Sequence, residues 1–304
     1  MMNNSGDTYH VPVLLKETVD GLNVKPDGIY VDVTFGGGGH SDEILKRLGK
    51  DGRLFAFDQD EDAIKNKPDD NRLVLIEGNF SNLKNYLRLE GVRQVDGVLA
   101  DLGISSHQIN KPERGFSTRF DEKLDMRMDK KSKLTAYDVM NSYDERDLRK
   151  IFSQYGDLRN AATVARSIVN ARENQPVETT GQLIEIVSKH FPKLKRNKFL
   201  AKLFQAIRIE VNGEMDALKK MLKQTAEVIK PGGRLSVISY HSLEDRLVKR
   251  FIRDGMFEGQ PEKDIYGNVE VPFRKVGKMI TPSKEEIEKN PRARSAKLRI
   301  GEKL

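Results

Sequence analysis

The stretch Ile29-Tyr30-Val31-Asp32-Val33-Thr34-Phe35-Gly36-Gly37-Gly38-Gly39-His40-Ser41 decides the fold of this chain. Its first half is rich in β-branched and aromatic residues, as in a buried strand, and a helical pattern follows the four glycines. Glycine lets the backbone turn sharply at the end of a strand and lets a ligand come close to it. Such a junction is where an α/β protein holds an adenosine-containing cofactor.

The glycine run matches the dinucleotide-binding fingerprint only in part. The pattern G-x-G-x-x-G, read from Gly36, fits at Gly38 but has Ser41 where the third glycine should stand. A tight turn without a ligand is the alternative interpretation of such a loop. Asp58 strengthens the ligand hypothesis, because it closes the next strand-like run, 53–57, at the offset of a ribose-binding acid. Together the loop and the acid favour a nucleoside cofactor.

The composition favours a soluble protein of the reducing cytoplasm. At 304 residues the chain can bury one large core or two modest ones. It has no cysteine, which excludes disulfides, thiolate metal sites and a cysteine nucleophile. Its five histidines form no H-x-x-x-H or H-E-x-x-H pair, so we expect no metal site built on histidine. Residues 1–9 are polar and no stretch is apolar enough for a bilayer, so we expect neither export nor membrane insertion.

The charge balance is basic, with a formal net charge of +7 and a pI near 9.3. Such an excess suggests a polyanionic partner, although a lysine-rich solvated surface would give the same total. The position of the charges is more informative than their sum. The run 193–198 is basic and lies beside Phe191 and Phe199, which favours contacts with phosphate groups.

Strand-like runs alternate with helical patterns through the first third of the chain. The predicted strands are 29–34, 53–58, 73–76, 95–99 and, after Pro231-Gly232-Gly233, 234–239. A helix at 41–48 follows the first strand, and this order is typical of a parallel sheet. The segments 269–276 and 295–300 predict an antiparallel pair at the sheet edge.

More than a hundred residues separate the fourth predicted strand from the fifth, and their pattern is helical. The spacing of a buried helix face is shown by Leu148, Ile151, Phe152 and Tyr155 and by Leu200, Leu203, Phe204 and Ile207. A connection of this length is not a simple loop. We therefore predict a helical domain, residues 113–212, inserted into an α/β domain made of residues 1–112 and 213–304.

Asp101 is the strongest catalytic candidate in the sequence. It follows the apolar residues 98–100, so its carboxylate should point into the cleft at the carboxyl ends of the strands. An exocyclic ring amine has a delocalised lone pair, and an acceptor on its N–H group helps to localise that pair for attack on an electrophile. Holding the amine and the electrophile in the correct geometry can lower the activation free energy by about 7 to 11 kcal/mol. The alternative is that Asp101 only caps or anchors the loop.

Three further positions each have two interpretations. Asp58 could accept from both ribose hydroxyls, or it could cap the following helix. Phe80 could stack on an adenine, or it could be a core residue. His241 could be a base, whereas Ser242 followed by Glu244 also predicts an ordinary helix start there.

Short motifs follow one another in a fixed order along nearly the whole chain. They are His10-Val11-Pro12-Val13-Leu14, Thr34-Phe35-Gly36-Gly37-Gly38-Gly39-His40-Ser41, Asp101-Leu102-Gly103-Ile104-Ser105-Ser106, Arg114-Gly115-Phe116-Ser117, Leu124-Asp125-Met126-Arg127-Met128-Asp129, Phe204-Gln205-Ala206-Ile207-Arg208, the segment 239–246 and Asn290-Pro291-Arg292-Ala293-Arg294-Ser295. In this set of motifs the chain resembles the bacterial small-subunit rRNA N4-cytosine methyltransferases of the MraW type.

The resemblance implies a class I, Rossmann-like methyltransferase sheet whose inserted helical domain recognises the substrate. It implies transfer of a methyl group from S-adenosylmethionine to the N4 amino group of a cytidine in the decoding region of 16S rRNA, within the small ribosomal subunit. Asp101 is then the expected catalytic residue, and no metal is expected. Carried over residue by residue, the cofactor-binding positions are Gly38, Gly39, His40, Asp58, Phe80, Asp101 and Gln108.

The chain departs from the family pattern after the fourth strand. Members of the family often read Ser-Ser-Pro-Gln there, and this chain has Ser105-Ser106-His107-Gln108. The missing proline removes a rigid position from the loop, while Gln108 is matched.

Two other functions are compatible with parts of this sequence. The first is an NAD-linked oxidoreductase that uses the same glycine loop, against which the missing third glycine counts. The second is a ribosome-assembly factor that binds RNA without catalysis. The sequence does not fix the oligomeric state, and a homodimer is one assembly that the chain could form.

Overall fold

The computed structural model describes residues 12–261, 265–266 and 269–304, so that His10 and Val11 of the first motif lie outside the described residues. The chain divides into two compact units. The first consists of Met1–Gly103 with Asp216–Leu304, and the second is Ile104–Met215. The boundaries predicted from the sequence, 113 and 212, both lie inside the second unit.

The first unit is built on one sheet. Its strands are β1 (Ile29–Asp32), β2 (Arg53–Asp58), β3 (Leu73–Glu77), β4 (Val95–Asp101), β5 (Ile229–Ser239), β6 (Phe273–Ile280) and β7 (Lys297–Lys303). Among the described residues their order is β3-β2-β1-β4-β5-β7-β6. The first five pair in parallel, and β7 runs antiparallel to both β5 and β6. The predicted parallel sheet and its antiparallel edge pair are therefore confirmed.

Helices flank the strands and form most of the second unit. They are α1 (Leu15–Leu22), α2 (Gly39–Arg47), α3 (Glu61–Ile64), α4 (Leu83–Leu89), α5 (Ser106–Asn110), α6 (Ala136–Ser142), α7 (Glu145–Gln154), α8 (Ala161–Arg172), α9 (Thr180–Ser188), α10 (Arg196–Asn212), α11 (Glu214–Val228), α12 (Ser242–Asp254) and α13 (Lys284–Lys289). In the part of the chain that is described, none of them has both the length and the apolar character that a bilayer crossing demands.

The sheet is buried on both faces because neighbouring side chains along a strand point in opposite directions. Val31 and Phe55 join one apolar cluster, which also contains Leu218 and Leu222 of α11. Tyr30 belongs to a separate cluster on the other face, together with Ile44 of α2. The prediction that the helix before the fifth strand lies on the sheet is thus confirmed.

The fifth strand begins earlier than the sequence suggested. Its predicted start is residue 234, after the Pro231-Gly232-Gly233 turn, whereas β5 starts at Ile229. Ile229 pairs with Val95, and the register then shifts before Gly97 pairs with Arg234. Gly232 has a φ of 78°, a left-handed conformation that glycine adopts without strain. The turn is therefore an irregularity within the strand rather than its beginning.

The second unit has its own helical core. Leu148, Ile151 and Phe152 of α7 are buried in the same cluster as Leu203 and Ile207 of α10, as their helical spacing predicted. Two of its helices, α6 and α9, begin with reciprocal capping boxes at Thr135 and Thr179. Because each box satisfies main-chain groups at a helix start, the sequence fixes where these two helices begin.

Truncating Phe152 should destabilise the second unit. The ring is 0% exposed, so Phe152→Ala removes about 3 to 5 kcal/mol from the free energy of unfolding through lost burial and a cavity. Phe120→Ala is the control, since that ring is 45% exposed and its loss should cost below about 0.5 kcal/mol. Urea denaturation followed by circular dichroism measures both. Equal destabilisation of the two variants would contradict this account of the core.

Candidate functional site

The glycine loop links the carboxyl end of β1 to α2. Gly36 has a φ of 54° and Gly38 a φ of 81°, so both adopt a conformation that strains any residue with a Cβ atom. The N–H of Gly38 donates to the carbonyl of Phe35 over 2.8 Å, which closes the turn. Among the described residues, a Cβ atom added to Gly37 would meet nothing within 4 Å, so none of them fills the space on that side of the loop.

Asp58 ends β2 and holds the glycine loop. Its Oδ2 accepts from the N–H of Gly36 over 2.8 Å, and its Oδ1 accepts from the N–H of Asp60 over 2.8 Å. Burial raises the pKa of Asp58 to about 6, against the two hydrogen bonds, which lower it. The hypothesis that Asp58 caps the next helix is wrong, because Asp60 is the N-cap of α3.

Asp101 ends β4, and its two carboxylate oxygens have different neighbours. The hydroxyl of Tyr240, the residue after β5, donates to Oδ1 over 2.8 Å. Nδ1 of His40 lies 3.7 Å from Oδ2. Burial raises the pKa of Asp101 to about 6, while His40 and the Tyr240 hydroxyl act in the opposite direction. The Tyr240 hydrogen bond therefore orients the carboxylate, His40 lies at ion-pair distance from its other oxygen, and 23% of the side chain is exposed.

A buried carboxylate, Asp32, connects the glycine loop to Asp101. Asp32 is 0% exposed; its Oδ1 accepts from the N–H and the hydroxyl of Thr34, and its Oδ2 accepts from Ser41 over 2.8 Å. The hydroxyl oxygen of Thr34 in turn accepts from the N–H of Asp101 over 2.6 Å. Desolvation raises the pKa of Asp32, and nearby His40 opposes this shift.

The segment before α1 lies across the loop. A Cβ atom on Gly39 would come within 2.2 Å of the Pro12 ring, so only glycine leaves room for this crossing. Nε2 of His40 lies 3.2 Å from the carbonyl oxygen of Val13, within hydrogen-bond distance. The N–H of Leu14 donates to Glu286 over 2.7 Å. The buried His40 ring is thus enclosed by the chain itself.

The structure brings five of the predicted site positions together at one edge of the sheet. Gly38, Gly39 and His40 lie at the carboxyl end of β1, and Asp58 and Asp101 end the two strands beside it. Phe80 follows β3 at the start of the 3-10 turn Phe80–Asn82, with its ring partly buried against the core. Gln108 belongs to the second unit, where it forms a capping box with Ser105 at the start of α5.

His241 is the N-cap of α12, one residue before the predicted helix start. Its Nδ1 accepts from the N–H of Glu244 over 3.4 Å, while the Glu244 carboxylate accepts from the N–H of His241 over 3.2 Å. The interpretation of this motif as a helix start is confirmed. Capping explains the local sequence without a catalytic role for the imidazole.

Asp32 and Tyr240 were missed in the sequence. Both follow the rule that located Asp58 and Asp101, since each lies at the carboxyl end of a parallel strand. The sequence pattern predicts a first strand that continues past Asp32 to Thr34, and Tyr240 stands beside the more conspicuous His241. The signal for both residues is their position: Asp32 is the last residue of β1, and Tyr240 directly follows β5.

The arrangement of the sheet defines the class of protein. A parallel order β3-β2-β1-β4-β5 extended by an antiparallel β7 and then β6 is the class I methyltransferase fold, as the sequence predicted. A model of the MraW methylase family matches residues 7–304. The chain belongs to this family and is a methyltransferase, which replaces the oxidoreductase hypothesis.

Relatives with this family's activity match over nearly their full length. The protein called ribosomal RNA small subunit methyltransferase H in Flavobacterium johnsoniae is 64% identical over 97% of this chain and 98% of its own length. The protein of that name from Christiangramia forsetii has the same identity and coverage, 64%, 97% and 98%. A solved rRNA methylase from Streptococcus thermophilus covers 97% of this chain and 99% of its own, at 13% identity and a TM-score of 0.41.

Removing the Tyr240 hydroxyl should raise the pKa of Asp101 further. The hydroxyl stabilises the ionised carboxylate, so Tyr240→Phe shifts the titration of Asp101 upward from about 6. Carbon-13 NMR of protein labelled at the aspartate carboxyl carbons measures this titration. Tyr30→Phe is the matched control, because Tyr30 hydrogen-bonds near the start of β1 and should leave Asp101 unchanged. An unshifted pKa in Tyr240→Phe would show that the hydroxyl does not orient this carboxylate.

Proposed function

We propose that this protein uses S-adenosylmethionine to methylate the N4 amino group of a cytidine in the decoding region of 16S rRNA. Membership of the methylase family over residues 7–304 carries the proposal. Two relatives that are 64% identical are named for the small-subunit rRNA that they methylate. The formal charge of +7 suits a polyanionic substrate.

In this proposal the two units have different roles. The sheet unit binds the cofactor and performs the transfer, and the helical region, residues 113–212 in the sequence-based division, recognises rRNA. This division is supported by the position of Asp58 and Asp101, which both end strands of the sheet. Action in the cytoplasm, on rRNA within the small ribosomal subunit, and assembly as a homodimer stay predictions.

The residues around the glycine loop fit S-adenosylmethionine. Each oxygen of Asp58 accepts one hydrogen bond from the chain, and a carboxylate has about four acceptor sites, so two ribose hydroxyls can still be accepted. No described residue fills the space beside the Cα atom of Gly37, so a ligand can approach the main chain there. Phe80 offers a partly exposed ring to an adenine. S-adenosylmethionine has no pyrophosphate, so the loop has no need of the third glycine of the dinucleotide fingerprint.

The remaining cofactor positions differ in how they would act. Gly38 and Gly39 shape the loop, and a Cβ atom at either would press on a neighbouring ring. The His40 ring is buried between Val13 and Asp101, so we assign it to holding the Asp101 carboxylate rather than to direct contact. Gln108 is proposed on the family resemblance alone.

Asp101 is the proposed catalytic residue. When bound, S-adenosylmethionine supplies an electrophilic methyl group, so the chain needs neither a metal nor a covalent nucleophile. Asp101 accepts a hydrogen bond from the exocyclic amine and thereby orients the nitrogen and its lone pair. Tyr240 and His40 keep the carboxylate in place without taking all of its acceptor capacity. When Asp101 is ionised, its carboxylate can accept the proton that the amine loses.

Replacement of Asp58 should weaken cofactor binding. Charged hydrogen bonds of this kind contribute about 1.5 to 3 kcal/mol, so Asp58→Ala should raise the dissociation constant for S-adenosylmethionine roughly tenfold to hundredfold. Asp58→Asn keeps an acceptor for the loop and tests the charge separately. Asp51→Ala, an exposed acid just before β2, is the control. Calorimetry that finds unchanged affinity for Asp58→Ala would refute the assignment.

Methyl transfer should depend on an ionised Asp101. Because the pKa of Asp101 is raised to about 6, labelled methyl incorporation into small ribosomal subunits should fall as the pH drops below that value. With S-adenosylmethionine at a saturating concentration, so that titration of Asp58 does not limit the rate, Asp101→Asn should lower the rate at pH 8 at least roughly a hundredfold and should abolish this acid limb. Asp51→Asn should retain both. No incorporation by cofactor-loaded protein into subunits lacking the modification would overturn the proposed function.

A further inference from the structure

Several basic side chains of the second unit have internal contacts. Arg166 lies 3.3 Å from Glu145, and Lys202 lies 2.7 Å from Asp157. The guanidinium of Arg172 donates to a main-chain carbonyl over 2.7 Å. The position of these charges is explained by the fold, so they do not indicate a partner.

Residues 189–198, which we call the lysine segment, are different. Lys189, Lys193, Lys195 and Lys198 are all exposed, and within the described ranges none of them has a carboxylate oxygen within 4.0 Å. No aspartate or glutamate occurs in the sequence between Glu185 and Glu210. The local positive charge is therefore not neutralised by neighbours along the chain.

The lysine segment is held in a fixed conformation. Phe191 is buried and stacks on Phe199, with ring centroids 5.2 Å apart and planes within 12°. The N–H of Lys195 donates to the carbonyl of Pro192 over 2.9 Å, and the side-chain amide of Asn160 reaches the main chain of the segment at 2.9 Å. Because the main chain is already ordered, binding a partner here loses little conformational entropy.

The segment leads into the start of α10, whose electrostatics also favour an anion. The N-cap is Lys195, which makes no capping hydrogen bond, and the first turn has no acidic residue. The positive end of this 17-residue helix therefore adds to the charge of the lysines instead of being neutralised. An anion beside the first turn of α10 would be attracted both by the lysines and by the positive end of the helix.

We propose that the lysine segment binds phosphate groups of the rRNA backbone. This inference rests on the proposed function, which supplies an RNA substrate. Lysine ammonium groups contact phosphates without reading bases, so the segment adds affinity and fixes the position of the RNA rather than selecting the cytidine.

An RNA fits the segment better than a protein does. Leu194 is fully exposed, and it is the one large apolar side chain on the surface of the segment. A stable protein interface has a desolvated apolar core that is depleted in lysine. A single leucine among lysines can lie against a ribose or an exposed base, but it does not form such a core.

The test uses a variant that removes three of these charges, Lys193→Gln, Lys195→Gln and Lys198→Gln together. We expect the KM for small ribosomal subunits to rise roughly tenfold with little change in kcat, because phosphate contacts act equally in the ground and transition states. Binding to protein-free 16S rRNA should lose about 2 units of its log-log salt slope, from about 0.7 per phosphate contact. Affinity for S-adenosylmethionine should be unchanged, which verifies that the sheet unit is folded.

The matched control removes the same charge elsewhere, by Lys25→Gln, Lys50→Gln and Arg93→Gln. These exposed residues precede β1, β2 and β4, at the edge of the sheet opposite Asp58 and Asp101. The control should keep its salt slope and its KM. Equal effects of the two triple variants would overturn the proposal, because net charge alone would then explain the result.

Two further outcomes separate the hypotheses. A loss of binding to assembled subunits but not to protein-free rRNA would overturn the phosphate assignment in favour of a ribosomal protein. Wild-type protein that binds rRNA but transfers no methyl group would defeat the proposed function. In that case the salt slope of the lysine-segment variant still decides whether the segment binds phosphate.

Discussion

The buried carboxylate of Asp32 is the constraint on which the rest of the site depends. Three hydrogen bonds from Thr34 and Ser41 satisfy it, and they tie the end of β1 to the first turn of α2. The same Thr34 hydroxyl accepts from the main chain of Asp101, so the end of β4 is positioned by this group as well. A buried acceptor that loses its donors costs about 1 to 3 kcal/mol or more, which keeps this set of contacts intact.

Asp58 and Asp101, the two half-buried carboxylates at the ends of this arrangement, share an electrostatic character. Burial raises the pKa of each to about 6, so ionisation at neutral pH is retained against a desolvation penalty. The hydrogen bonds from Gly36 and from Tyr240 offset part of that penalty. A ligand that donates hydrogen bonds to either carboxylate would offset more of it. The affinity of Asp58 and Asp101 for hydrogen-bond donors therefore results from their position at the ends of β2 and β4.

Much of the fold could be predicted because it depends on local patterns. Alternation located the strands and helical spacing located Phe152 and Phe204 in the helical core. Asp58 and Asp101 were found because strand ends meet at one edge in a parallel sheet. The contact of Tyr240 with Asp101 could not be found this way, since the two are separated by 139 residues. The pairing of Ile229 with Val95 also depends on tertiary register, which overrides the turn signal of Pro231-Gly232-Gly233.

The insertion of the helical unit between β4 and β5 imposes an order on biosynthesis. β4 is complete at Asp101, but its parallel partner starts at Ile229, more than a hundred residues later. At about 5 to 20 residues per second, a ribosome leaves that edge of β4 unpaired for roughly 6 to 25 s. Collapse of Ile104–Met215 into its own core during this interval shortens the loop that must close. Contacts between residues that are close in sequence thus form within the helical unit first, and the pairing of β4 with β5, which are distant in sequence, follows.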